Sequence, residues 1–503
     1  MGLNSVFQGV KFASIAVKAG VMSAFNEDAA KGYLLRSLGS MPGLTAKAAQ
    51  MLSMKLGVDE HADLMPEAME LDLVKALIHE AHPILFHQIV SIDAHPYVAS
   101  LGQVHRVELA DGRHMAVKVQ FPGIQSQLKG QLDLLMTSSG LGPAKKYGFR
   151  VDDFRDFFLE KFKEETDYLH EANGQLRFYE TFASLPGIII PRPEMDLCGQ
   201  TVLVQEWVHG LGMGALNFWP EDARRDLTKA LGRFLIKGVF VEGLVHTDLH
   251  PGNLAFKVDS THEVIVYDYG SHMEVGSFES SVLRQMIDAY REEDTVDPFN
   301  YLVALGFDPD KLKHIANVLP MLCKFLVEPF TSQGAINFEQ WSLDQTLDDL
   351  LGEDKWWFRM SGPPWFLLLM RAVQGNIFLH KKLGVGVCYR ALLSEVLPAN
   401  YEKVKIPNVS QDFLKEVITT DTIAKYLKVL VLEKETGNQV VKLEMPARSV
   451  DSLENLIPED TLVRFKQAHD LVKIKKDVMR KGYMPCVLFS SETAERTYKV
   501  WLE

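Results

Sequence analysis

Cysteine is scarce in this chain, with only four in 503 residues and no C-x-x-C pair. Cys198, Cys323, Cys388 and Cys486 are widely spaced. That spacing excludes a zinc knuckle or a disulfide framework and suggests buried thiols in a reducing compartment. Positive charge is also in deficit. Lys and Arg number 53 against 66 Asp and Glu, giving a net charge of −13 and a pI near 5.7. This balance argues against a nucleic-acid partner. No uncharged apolar run reaches the roughly eighteen residues of a spanning helix, and the most hydrophobic stretch, 364–369, is far shorter. Residues 1–25 lack both the apolar core of a cleaved signal and the Arg of a transit peptide. With Lys11 and Lys18 among Val, Phe, Ala and Ile, they fit an amphipathic helix packed on the body or lying on a membrane surface. Val6 stands where a myristoylation signal needs Ser or Thr. The expected location is cytoplasm or an organelle matrix, at most peripheral to a membrane.

The chemistry concentrates in His246-Thr247-Asp248-Leu249-His250-Pro251-Gly252-Asn253, followed downstream by Asp268-Tyr269-Gly270. Pro251-Gly252 forces a turn, so Asp248 and Asn253 share one tight loop. Residues 264–267 read as a short buried strand that ends at Asp268. Two carboxylates and an amide carbonyl are hard oxygen donors, suited to Mg2+ held against phosphates. Asp248 is placed to orient or deprotonate a hydroxyl or water. Asn253 and Asp268 are placed to hold the metal. The order Asp, Asn, Asp is that of a kinase catalytic loop and metal-binding turn. A zinc pair at His246 and His250 is the rival reading. It needs a helix, which Pro251 prevents.

Residues 1–82 read as a helical extension broken at Met41-Pro42-Gly43. Residues 83–208 read as a strand-rich lobe. Candidate strands are 86–90, 104–109 and 115–119, with the hairpin signal Asp111-Gly112 before the last. Lys118 ends an Ala-Val-Lys strand of the kind whose lysine touches nucleotide phosphates. Only Gly102 stands where a kinase carries a glycine-rich loop, so backbone approach to the phosphates must differ there. Residues 151–183 read as one long amphipathic helix bearing Glu165, Asp167 and Glu171. A kinase needs one glutamate there to pair with the strand lysine. The strand 201–207, which contains Glu206, sits where a hinge presents backbone to an adenine ring. Residues 209–415 read as the larger, mostly helical lobe, and 420–503 as a small α/β module for interaction or regulation. The expected fold is α+β: a bilobal protein-kinase-like fold between a helical extension and that module.

Four segments resemble the UbiB (aarF-domain) family of atypical protein-kinase-like proteins. Lys47-Ala48-Ala49-Gln50 is similar to its K-x-G-Q helix motif, with Ala49 replacing the glycine. Residues 99–105 are similar to its alanine-rich nucleotide loop, with Tyr97-Val98 interrupting the alanine run. Glu165-Thr166-Asp167 resembles its E-x-D helix, and 246–270 its catalytic core. The resemblance implies that Lys118 and Glu171 are the phosphate lysine and its partner. It implies nucleotide contacts from Ala99, Ser100, Gly102 and Gln103, and catalysis by Asp248 with Asn253 and Asp268 on Mg2+. It places Lys47 and Gln50 across the active site, with Lys47 near Glu165 and Asp167. The implied activity is ATP hydrolysis or small-molecule phosphoryl transfer rather than protein phosphorylation, linked to ubiquinone or other prenyl lipids. A small-molecule phosphotransferase and a nucleotide-binding pseudokinase scaffold are the alternatives.

Overall fold

The structure is a computed structural model. It describes residues 66–124, 159–292 and 296–409, apart from 260, 340 and 399–400. Of the remainder it describes 424–434, 439–450 apart from 448, 486–492, 496–503 and a few positions between 471 and 483. Contacts divide the chain into two compact units. One holds the described residues up to 280 with 334–338 and 364–398. The other holds 281–333, 339–363 and the described residues from 401 onward.

The first unit begins with helices α1 (Leu71–Ala81) and α2 (Pro83–Gln88). Strands β1 (Ile89–Ile92), β2 (Tyr97–Val98), β3 (Gly102–Leu109) and β4 (His114–Gln120) follow. The strand expected over 86–90 is therefore mostly helix. Pro83 occupies its first turn, and the His82 ring accepts from the Leu85 amide at 3.0 Å. A proline with preset φ and a capped amide outweigh the β-branched residues behind them. The chain continues through α3 (Tyr168–Phe182), β5 (Ile188–Ile189) and β6 (Val202–Glu206). The antiparallel sheet runs β1-β3-β4-β6, with β2 beside β3. Alternation along β4 decides the faces. Met115, Val117 and Val119 pack with Val74 and Ile78 of α1, which leaves Ala116 and Lys118 on the opposite face.

The long helix expected over 151–183 is broken. Residues 159–165 are helical, and α3 starts afresh at Tyr168 because Asp167 caps it. The Asp167 carboxylate accepts from the Leu169 and His170 amides at 3.0 and 3.4 Å, the bonds that favour Asp at this position. Residues 151–158 lie outside the described residues.

Helix α4 (Glu221–Lys237) leads through a π-turn to β7 (Leu244–His246), then β8 (Leu254–Lys257), β9 (Glu263–Val266) and β10 (His272–Glu274). Strand β10 pairs with β7, placing His272 opposite His246. Strand β9 pairs with β8 and, in parallel, with β5. Helices α5 (Pro364–Leu383) and α6 (Tyr389–Val396) complete this unit. Its core joins Phe178 and Phe182 of α3 to Leu231, Phe234, Val264, Val266, Tyr269 and Leu379.

The second unit holds helices such as Leu319–Thr331 and an antiparallel sheet of β11 (Tyr426–Glu433), β12 (Gln439–Pro446), β13 (Cys486–Glu492) and β14 (Arg496–Leu502), ordered β12-β11-β14-β13. Leu427, Phe489, Val500 and Leu502 form its core. Residues 451–485 lie largely outside the described residues. Among the described residues no helix is long and apolar enough to cross a membrane.

Candidate active site

Lys118 on β4 is the centre of the site. Its Nζ donates to both carboxylate oxygens of Glu171 at 2.7 and 2.8 Å and to Asp268 Oδ2 at 3.0 Å. It also lies 4.8 Å from the centre of the Tyr168 ring. Burial pushes the Lys118 ammonium down, but the Asp268 and Glu171 charges outweigh it and hold the group well above its usual range. Burial, and then the Asp268 charge, push Glu171 up to about 7 against the pull of Lys118. One ammonium thus serves two carboxylates.

The loop 246–253 and the turn 268–270 are tied together by β7 and β10. Thr247 Oγ1 meets Ser271 Oγ at 2.8 Å. His246 Nδ1 accepts from the Asp248 amide at 3.2 Å, and Nε2 faces the Asp268 carbonyl at 2.5 Å. An acceptor role at Nδ1 and a carbonyl at Nε2 require the neutral Nε2–H tautomer. Burial, which pushes His246 down, favours the same form. His250 Nδ1 accepts from the Gly252 amide. The zinc reading therefore fails: both His246 nitrogens are engaged, and no group of three metal-ligating side chains occurs among the described residues.

A solvent-open cleft brings together Ala99, Ser100, Lys118, Glu165, Glu171, Asp248, Asn253 and Asp268. Asn253 Nδ2 donates to the Asp248 carbonyl at 3.0 Å, which directs its Oδ1 elsewhere. Oδ1 and the Asp268 carboxylate are hard oxygen donors of the kind Mg2+ prefers.

Some predicted residues are placed differently. Gly102 carries no side chain into the cleft; a Cβ there would lie 2.2 Å from the Val119 carbonyl and 2.6 Å from the Tyr168 hydroxyl. Gln103 lies on the opposite face of β3, with Oε1 accepting from the Met69 amide at 2.6 Å and Nε2 beside His105. The Glu206 carboxylate accepts from the Arg192 amide at 3.0 Å and does not line the cleft. Asp167 is the cap of α3. Lys47 and Gln50 lie outside the described residues.

One charged partner of Asp248 escaped the sequence reading. Arg371 on α5 places Nη2 2.5 Å from Asp248 Oδ1. Burial opposes its charge, but Asp248 and then Glu165 outweigh it and raise the guanidinium further. The helix reaches the loop through Gly375, where a Cβ would meet the Leu249 carbonyl at 2.5 Å. Residues four apart share a helix face, so the close approach at Gly375 aims Arg371 at the loop. The sequence signal was an arginine one turn before a glycine in an apolar helix.

Residues 63–298 match the model of the ABC1 atypical kinase-like domain. The chain is 26% identical to the atypical kinase COQ8B, mitochondrial, of Rattus norvegicus over 63% of this chain and 62% of that protein. It is 31% identical to the uncharacterized protein sll0095 of Synechocystis over 44% of this chain and 41% of that one. The matches thus span less than two thirds of these relatives' own length. Among solved structures, the Rv3197–erythromycin complex from Mycobacterium tuberculosis is similar, with a TM-score of 0.50 and 22% identity over 76% of this chain and 98% of that one; it speaks for the fold. The motifs and the family match agree, and the chain carries an ABC1 atypical kinase-like domain over residues 63–298.

Proposed function

We propose that this protein is an Mg2+-dependent, ATP-binding atypical kinase or ATPase that supports ubiquinone or other isoprenoid-lipid metabolism. The observation that carries the reading is the convergence of Lys118, Glu171 and Asp268 within 3.0 Å, in one cleft with Asp248 and Asn253. Lys118, held by Glu171, takes the α and β phosphates. Asn253 and Asp268 would hold Mg2+, which neutralises phosphate charge and orients the transferring group. Asp248 orients the attacking hydroxyl or water and accepts its proton. Family resemblance alone supports the lipid link. It also supports a membrane surface as a partner, and a protein partner for the C-terminal module is proposed on that module's lack of catalytic motifs.

Phosphate release from Mg·ATP, measured beside Asp248→Asn with and without prenyl-lipid liposomes, tests the reading. Turnover that liposomes raise and the substitution removes is the expected result. A nucleotide-binding scaffold is the second reading. The ion pair of Arg371 with Asp248 favours it, because a guanidinium already satisfies the carboxylate that would take the proton. Nucleotide binding without turnover in any condition would select it.

A further inference from the structure

The cleft surrounds Lys118, Asp248 and Asp268. None of its lining residues comes from β6 or from 207–211. Three aromatic side chains stand there instead. Tyr267, immediately before Asp268, donates its hydroxyl to the Val208 carbonyl at 2.7 Å, two residues past the end of β6. Tyr97 leans on Trp207 with ring centres 5.9 Å apart at 48°. The Arg106 guanidinium lies 5.9 Å from the centre of the Trp207 ring.

Strand register places this cluster. Tyr97 is opposite Val104, Val104 opposite Lys118, and Arg106 opposite Ala116. Directly opposed residues share a sheet face, so Tyr97 and Arg106 stand on the face of Lys118. Ala116 in turn is opposite Gln205, next to the hinge. A ligand whose phosphates reach Lys118 and Asp268 would extend its base toward Val208, where the Tyr267 phenol already bonds the backbone acceptor.

We infer that Tyr267 is a specificity-determining residue that keeps a nucleobase off the hinge, so that the cleft selects its ligand by the polyphosphate and reads the base weakly. This inference rests on the nucleotide reading above. A base entering the hinge must displace a phenol and its hydrogen bond, and that cost offsets what stacking and hinge contacts would contribute.

Calorimetric titration of the full chain, with Mg2+, against ATP, CTP and inorganic tripolyphosphate is the test. For the parent, the two nucleotides should bind within about threefold of each other and tripolyphosphate within about tenfold of both. Tyr267→Ala should tighten ATP by about tenfold or more and leave tripolyphosphate unchanged. Tyr267→Phe keeps the ring, frees the Val208 carbonyl and should fall between. Strong preference of the parent for ATP over CTP overturns the inference and needs no variant to be seen. So does weaker ATP binding in Tyr267→Ala, or ATP binding that neither substitution changes. Failure of the parent to bind both tripolyphosphate and ATP would instead overturn the nucleotide reading, and this inference with it.

Discussion

At one end of the cleft, Lys118, Glu171 and Asp268 on one side, and Arg371 and Asp248 on the other, pair charges at 2.5–3.0 Å. At the other end, Tyr97, Trp207 and Tyr267 pack rings and commit one hydroxyl to the backbone. The charged end joins residues from β4, α3, α5 and two loops, and its acids outnumber its bases. Such a cluster is completed by a cation and anionic oxygens. The aromatic end has its acceptor satisfied without any ligand. On the nucleotide reading proposed above, the difference teaches that this cleft is prepared for phosphate and metal before it is prepared for a base.

The strongest way to break the contrast is Asp268→Asn, which removes a carboxylate from the charged end. Mg2+-dependent nucleotide affinity should fall by about 100-fold or more. Thermal-shift titration with and without Mg2+ reads it, and an unchanged response would refute the metal assignment.

Glu171 offers a pH test of the same end. In the folded protein it binds a proton between its ordinary 4.5 and about 7. The native state therefore holds more protons than the unfolded chain in that window, and stability falls as pH rises through it. The shift corresponds to about 3 kcal/mol. Glu171→Gln should flatten the urea-midpoint profile between about pH 5 and 7. A profile as steep as the parent's would place the titration elsewhere.

Arg371→Met should cost about 2 kcal/mol by leaving the largely buried Asp248 carboxylate without its cation. If the pair restrains Asp248, phosphate release should rise while nucleotide affinity changes little. Lower turnover with unchanged affinity would make Arg371 a positioning residue for the reaction.

The sequence made the charged end legible where its residues sit close together in fixed order. Asp248 and Asn253 lie on one loop and Asp268 just past β9, so spacing alone pointed to their meeting in one cleft. Lys118 was legible because a turn signal and a period-two strand located it. Arg371 was not, since it is 123 residues from Asp248 and its neighbours give only an apolar helix period. Gln103 shows another limit. Its motif position is right, but strand alternation turns its side chain to the far face, where Met69 holds it. The aromatic end was half legible: Tyr97 was noted as a departure, while the approach of Tyr267 to Val208 depends on how β8 and β9 fold back.

Asp167 gives the smallest effect and the sharpest boundary for the charged end. The sequence places it beside Glu165 as an acid of the active site. In the structure only Glu165 lines the cleft, and the Asp167 carboxylate caps α3. The two roles separate by substitution. Asn caps a helix about as well as Asp, whereas Ala does not. If capping is the whole role, Asp167→Ala should cost about 1 kcal/mol and Asp167→Asn only a few tenths. If its charge serves the site, Asp167→Asn should change nucleotide affinity as much as Asp167→Ala does, with stability nearly preserved. Urea midpoints and calorimetric affinities on the two variants decide between them. Because α3 also carries Glu171, a cap that holds its first turn holds the Lys118 partner as well. The capping role therefore predicts a modest affinity loss in Asp167→Ala that Asp167→Asn restores.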